Sequence, residues 1–207
     1  MFKGTPEIIV QRREEIVGAC EQLYQTMSFK DITLKEISNV TSFSRPTIYN
    51  YFHTKEEIFL ALFEREYDRW NADLEKLLNS EKDYAGKELA EQIAKSLEKR
   101  AQLLKLLSMN NYDMEENSRE ELLASFKRAY GKSLKLFREI LRKYCPAMSD
   151  NEVEQIMYVF FPFMFGIYPY TEVTAKQKEA MKEAEVDYKY QSIYEITYNC
   201  LKRLLKN

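Results

Sequence analysis

The sequence predicts an all-α protein, and three observations carry that expectation. Gly and Pro number five each in 207 residues, about 5% together against a usual ~12%, too few for turn-dense sandwiches and barrels. Apolar residues recur at helical spacing along most of the chain. Ser/Thr-x-x-Glu boxes, which satisfy orphan helix-start N–H groups, open several of these periodic runs. The length allows one to two domains, and a chain of this size buries about 70% of its extended surface, enough to fold without staples.

The elements follow in order. Ile9, Ile16, Cys20, Leu23 and Met27 form one apolar face of a first helix, with Pro6 in its first turn. Thr33-Leu-Lys-Glu36 is a capping box that opens a short helix running to about Val40. Thr41-Ser42-Phe43 breaks it, and Ser44 caps the next, with Pro46 where a missing N–H costs nothing. Thr54-Lys-Glu-Glu57 opens a long helix marked by Ile58, Leu62, Trp70, Leu74 and Leu77, ending near Asn79. Further helical patterns lie at about 85–110, 118–144, 150–169 and 187–206. Asn110-Asn111-Tyr112, Cys145-Pro146 and a polar stretch from Thr171 to Glu185 separate them, and Ser149-Asp-Asn-Glu152 caps the third. About nine helices are expected in all.

Several function classes are excluded early. His53 is the only histidine, so multi-histidine metal sites and zincin motifs are absent. Cys20, Cys145 and Cys200 lie far apart in no C-x-x-C pattern, which argues against a disulfide scaffold. Gly131-Lys132-Ser133 imitates the end of a P-loop, but Phe126 stands where the first Gly is required. Ser96-x-x-Lys99 has no companion motif. No acid–base or nucleophile constellation remains, so neither an enzyme nor a cofactor is expected. The N-terminus lacks the apolar core of a secretory signal. The uncharged stretch from Gln155 to Thr171 is short for a membrane span and carries Pro162 and Pro169. A cytoplasmic protein without a membrane partner is the expectation.

Net charge of −2 and a pI near 5.7 point to no nucleic-acid partner, so local pattern must decide. Thr33 to Lys55 reads as two short helices joined by a three-residue turn, a helix-turn-helix that presents its second helix to the major groove. With Ile48 facing inward, Phe52 falls beside it, Pro46 and Asn50 face away, and Thr47 and Tyr49 flank them. Arg45 suits a bidentate contact to guanine and Asn50 one to adenine, while Pro46 and the Thr47 methyl suit a thymine methyl. Thr33, Ser44, Tyr49, Tyr51, His53 and Lys55 supply phosphate contacts. The nineteen residues between Glu36 and Glu56 contain no acid, which a phosphate-facing surface needs.

At these residues the chain resembles the TetR family of bacterial transcriptional regulators. The matching positions are Phe29, Thr33, Ile37, Ser44-Arg-Pro-Thr47-Ile-Tyr49-Asn-Tyr51-Phe52 and Lys55-Glu56-Glu-Ile58, within about 8–66. The resemblance implies a three-helix DNA-binding domain at 5–66 and a helical effector-binding and dimerisation domain at 67–207. It also implies that Arg45, Pro46, Thr47, Tyr49, Asn50 and Tyr51 face DNA, with Thr33 and Lys55 at phosphate-touching positions. One departure is Ser42, where the family usually has Gly. If that position needs φ > 0, Ser costs on the order of 1 kcal/mol and the turn is slightly strained.

Aromatics crowd the second half. Trp70, Met109, Tyr112, Phe126, Tyr130, Phe137, Phe160, Phe163 and Met164 are candidate linings of a cavity for an apolar or planar effector. Between Tyr158 and Tyr170 aromatics fall on nearly every helix face, so one face is expected to meet a partner subunit. Tyr158, Phe161 and Phe165, with Tyr190, Ile193, Ile196, Thr197, Leu201 and Leu204 of the last helix, are the candidate dimer interface. The expected function is a ligand-responsive repressor that binds a palindromic operator on double-stranded DNA as a homodimer. The alternative is an all-α small-molecule-binding or scaffold protein whose helix-turn-helix serves protein contacts.

Overall fold

The computed structural model describes residues 5–109 and 111–205, which hold eleven helices and no strand. They are α1 (Pro6–Thr26), α2 (Leu34–Asn39), α3 (Arg45–Ile48), α4 (Lys55–Leu78), α5 (Gly86–Glu98), α6 (Ala101–Leu107), α7 (Asn111–Glu116), α8 (Glu120–Tyr144), α9 (Asp150–Thr171), α10 (Ala175–Glu183) and α11 (Ile193–Leu204). Three short helices join the eight runs placed from periodicity and caps. The run expected at 85–110 divides at Lys99–Arg100 into α5 and α6, and two separators are themselves helical, as α7 and α10. Thr174 caps α10 through the Gln177 amide, yet none of its nine residues is buried, so no apolar stripe announces it. The last helix starts later than periodicity suggests, because Ser192 and Glu195 close a capping box immediately before Ile193.

The chain divides into two compact units, Met1–Arg65 with Asn110–Ala129, and Glu66–Met109 with Tyr130–Asn207. Both α4 and α8 begin in the first and end in the second.

In the first unit, α2 packs on α1 and α3. Ile16, Cys20, Tyr24, Ile32, Ile37, Ile48, Phe52, Ile58, Phe59 and Phe63 are buried in it. Phe59 takes Tyr24 edge-on at 5.1 Å and Phe29 at 4.8 Å, spacings at which ring edges meet ring faces favourably. Phe126 closes the same core against Phe63 at 4.8 Å.

The second unit packs α5 on α11, α6 on α9, and α9 on α11. The inner face of α9 (Val153, Ile156, Met157, Phe160, Phe161, Met164 and Ile167) is buried at helical spacing. Phe137 of α8 stacks on Phe160 at 4.9 Å and meets Phe161 edge-on at 5.6 Å. Pro162 and Pro169 sit inside α9 on its exposed side, where water reaches the carbonyls they leave unpaired. No helix among the described residues is long and apolar enough to cross a membrane.

Phe137→Ala is expected to lower stability by about 3–5 kcal/mol, the range for emptying a fully buried ring site. Tyr158→Ala on the opposite face of α9 is expected to stay within about 0.5 kcal/mol for the isolated subunit. Urea unfolding of the full chain, followed by circular dichroism, checks both.

Candidate nucleic-acid interface

The recognition segment begins at Ser44, in extended conformation, whose hydroxyl pairs with Thr47 Oγ1 at 3.0 Å. Helical hydrogen bonding runs on from α3 as tighter turns: the Asn50 amide reaches Thr47 O and the Tyr51 amide Ile48 O. Ile48 and Phe52 are fully buried. Arg45, Pro46, Tyr49 and Asn50 are exposed on the outer side, and Thr47 is half-buried. Ser44, His53 and Thr33 are exposed as well. Thr33 caps α2 by accepting from the Lys35 and Glu36 amides at 3.2 and 3.4 Å.

Two candidates lie apart from this edge. Tyr51 is only 5% exposed, and its hydroxyl accepts from Arg12 Nη1 at 3.2 Å, so it braces α1 from inside the head. Lys55 is half-buried, donates from Nζ to Phe29 O at 2.8 Å and lies 4.2 Å from the centre of the Phe29 ring.

The turn before α3 does not need glycine. Among the described non-glycine residues only Glu185 has positive φ, so the strain conditionally expected at Ser42 is absent. Instead the Ser42 amide and hydroxyl each donate to Glu15 Oε1 at 2.7 Å. Those bonds hold the Glu15 carboxyl below the usual carboxylate range.

The far end of the segment is fastened partly by residues from outside the motif, Asn117 and Arg119. Thr54 Oγ1 accepts the Glu57 amide at 3.1 Å and donates to Asn117 O at 3.0 Å. The Glu57 carboxylate, 1% exposed, reaches back past Thr54 to the His53 amide at 2.7 Å. Arg119 meets it with Nε at 2.7 Å and Nη2 at 3.0 Å, and its amide adds a third bond at 3.2 Å. Burial pushes this carboxyl up, but the bonds from Arg119 and the His53 amide more than offset that and leave it lowered. Arg119 Nη2 also donates to Tyr51 O at 3.1 Å, which Arg13 Nη1 approaches at 3.5 Å. Glu57 was legible only as half of a capping box. Arg119 lies 62 positions away, and nothing local marks it.

Residues 16–62 match the family model described as "Bacterial regulatory proteins, tetR family", and residues 64–189 match "Tetracyclin repressor-like, C-terminal domain". The chain belongs to the TetR family. It is therefore a DNA-binding transcriptional regulator with a ligand-binding C-terminal domain, from a family of regulators and not of enzymes. Solved TetR-like folds agree over nearly the whole length. The fatty acid degradation regulator FadR from Bacillus halodurans is 16% identical, with a TM-score of 0.62 over 99% of this chain and 97% of its own. FadR from Bacillus subtilis, in complex with stearoyl-CoA, is 16% identical with a TM-score of 0.60 over 93% and 97%. The reduced form of NemR from E. coli is 17% identical with a TM-score of 0.58 over 94% and 97%. No curated protein matches the chain.

In this TetR-family chain the effector candidates separate into two sets. Trp70, Tyr130, Phe137, Phe160 and Met164 belong to the second unit. Trp70 is fully buried, donates from Nε1 to Ser96 Oγ at 3.0 Å and lies 6.0 Å from Phe161. Tyr130 approaches Phe161 at 6.1 Å, and half-buried Phe163 stacks on Phe160 at 6.3 Å. Ser133 donates to Asn71 Oδ1 at 2.7 Å within the same core. Met109 is half-buried in this unit. Tyr112 and Phe126 belong to the first unit instead; Tyr112 is 83% exposed and Phe126 packs on Phe63.

The dimer candidates divide likewise. Phe161 faces inward, because 160, 161 and 164 share the buried stripe of α9. Ile193, Thr197 and Leu201 are buried within their own chain, in a helix that packs on α5 and α9. Tyr158 (79%), Phe165 (43%) and Tyr190 (43%) are exposed, and Ile196 and Leu204 are half-buried. A surface cavity of about 270 Å³, marked by no sequence pattern, is lined by Pro169, Tyr170, Val173, Gln177, Met181, Tyr188 and Tyr190.

Ser42→Gly is expected to lower stability by about 0.5–1 kcal/mol, since it removes a hydroxyl bond to a carboxylate without relieving strain. The loss is expected to be pH-dependent. The Glu15 carboxyl is lowered in the folded chain, so its contribution is complete above the ordinary glutamate range and disappears as pH falls through the lowered value. Urea titrations of wild type and variant between neutral and acid pH measure it; equal losses at every pH would contradict the assignment.

Proposed function

We propose that the chain is a homodimeric, effector-released repressor that reads an inverted-repeat operator with the exposed edge of α3. The carrying observation is the division of that segment: Ile48 and Phe52 are committed to the core, while Arg45, Pro46, Tyr49 and Asn50 stand outward. Arg45 offers a fork to guanine O6/N7, Asn50 a pair of bonds to adenine N6/N7, and Pro46 with Thr47 a surface for the thymine methyl. Thr33, Ser44, Tyr49 and His53 hold phosphates, and Lys55 adds its remaining N–H bonds. DNA binding is assigned to 5–66, with 111–129 bracing it; effector binding and dimerisation are assigned to the rest of 67–207. Work on DNA implies a cytoplasmic protein.

Dimerisation is assigned to the outer face of α9. Tyr158, Val159, Phe165 and Tyr170 are exposed there, an apolar stripe of the kind that a second subunit covers. Tyr190, Ile196 and Leu204 are assigned to the same interface. The effector is assigned to the aromatic core of the second unit, among Trp70, Tyr130, Phe137, Phe160, Phe163 and Met164. Gln102 Nε2 and Thr197 Oγ1 are buried without a hydrogen-bond partner among the described residues, and such groups anchor the polar end of a ligand. FadR from Bacillus subtilis, of the same fold, is in complex with stearoyl-CoA, which supports an effector with a long apolar part. Its binding shifts the population toward a head spacing that no longer fits half-sites about one helical turn, ~34–36 Å, or a multiple apart.

Selection from random duplexes is expected to enrich an inverted repeat that is lost steeply with salt; a scaffold protein would enrich nothing. Arg45→Ala is expected to lose about 1–3 kcal/mol of operator affinity and to relax one base position. Tyr158→Asp with Phe165→Asp is expected to give a folded monomer in sedimentation. Titration with stearoyl-CoA, and with a planar aromatic panel, is expected to change Trp70 fluorescence and release the operator. Operator affinity indifferent to both would remove the proposed effector class.

A further inference from the structure

We propose that Arg119 is a positioning residue for DNA recognition: the turn it occupies, distant in sequence from the motif, latches the C-terminal end of the recognition segment. The proposal rests on the DNA-binding role of the head and assigns a function to a contact that role does not require.

α3 has only four residues, and a single turn has no cooperative stability of its own. Its inner side is held by Ile48 and Phe52, and its start by the Ser44–Thr47 pair. Just beyond Asn50 the helical bonding ends, its last bonds running from the Tyr51 and Phe52 amides to Ile48 O. There the Arg119 guanidinium joins three groups at once: Glu57 Oε1, Glu57 Oε2 and Tyr51 O, at 2.7, 3.0 and 3.1 Å. Glu57 in turn holds the His53 amide at 2.7 Å, so one ion pair fixes the backbone on both sides of Phe52. Each oxygen of the buried carboxylate is occupied, which a charge out of water requires. A planar fork matches this arrangement and an ammonium does not. Thr54 Oγ1 ties the same turn through Asn117 O, giving the latch a second, neutral attachment. Arg119 meets the segment at the Tyr51 carbonyl and at Glu57, so its effect on DNA runs through the position of Tyr49 and Asn50.

The test uses the full chain and two DNA probes, the inverted repeat enriched by wild type and a random duplex of equal length, in fluorescence anisotropy titrations. Arg119→Ala is expected to weaken binding to the repeat by about tenfold or more, the size of a displaced base contact. Binding to the random duplex is expected to stay within about threefold, since none of the residues assigned to phosphates is removed. Hydrogen exchange is expected to quicken at the amides of 50–53 while those of α1 stay protected. Arg119→Lys, which keeps the charge but not the fork, is expected to fall between Arg119→Ala and wild type, and it decides by the same ratio if the alanine variant does not fold. Glu121→Gln, which removes the exposed partner of Arg119 Nη1 at 3.4 Å, is the control and is expected to bind as wild type. Equal weakening on both probes, or an unchanged repeat affinity, would overturn the proposal. Wild type that enriched no repeat is a separate failure, because it would remove the DNA reading from which this one starts.

Discussion

A recognition helix of one turn cannot hold itself. Four residues form too few internal hydrogen bonds to offset the ordering of their backbone, so everything that keeps Arg45 and Asn50 in position comes from elsewhere in the head. Ile48 and Phe52 hold the inner side through burial. Glu15 holds the preceding turn through Ser42. Arg13 and Arg119 converge on the Tyr51 carbonyl, where the turn ends. The remaining architecture of the first unit follows from this need. α1 is placed to supply Arg12, Arg13 and Glu15, and the turn at 117–119 is placed to meet Glu57.

The second unit solves a different problem. Its core is aromatic and apolar, with polar side chains admitted where they find partners, as in Trp70 with Ser96, Asn71 with Ser133, and Tyr144 with the Leu77 carbonyl. Buried donors without partners are rare in proteins because each forfeits its bonds to water. The Thr197 hydroxyl and the Gln102 amide nitrogen therefore stand out in a domain that binds a ligand. α9 belongs to two environments at once: its 160/161/164 stripe fills this core, and its 158/159/165 stripe remains in solvent. A helix apolar all round is expected to be covered on all sides, and a lone subunit covers only one of them.

The helix-turn-helix was legible because each of its signals is local. A hydroxyl three residues before a carboxylate, a proline in a first turn, and apolar residues four apart act within one or two helical turns, and Thr33, Pro46, Ile48 and Phe52 sit where those rules place them. Tyr51 shows where local rules stop. Its type and register suit a phosphate contact, but Arg12 from α1 draws its hydroxyl inward. Ser42 is similar: the family habit of glycine suggested strain, and a carboxylate 27 positions earlier supplies a strain-free turn. The α9 aromatics resisted assignment for a converse reason. Where every face is apolar, periodicity does not say which face is inside, so Phe161 and Tyr158 could not be separated.

Composition and spacing alone determined an all-helical chain, its helix-turn-helix and the residue types on the outer edge of α3. Those properties depend on backbone preferences and side-chain chemistry within a few residues. Only the tertiary structure decided that residues near 119 join the DNA-binding unit, that Phe126 belongs to that unit's core, and that Ile193, Thr197 and Leu201 are used inside their own chain. Those outcomes depend on which distant surfaces meet, and a buried pair such as Glu57 with Arg119 leaves no periodic trace, because its partners are related by packing and not by helical turn.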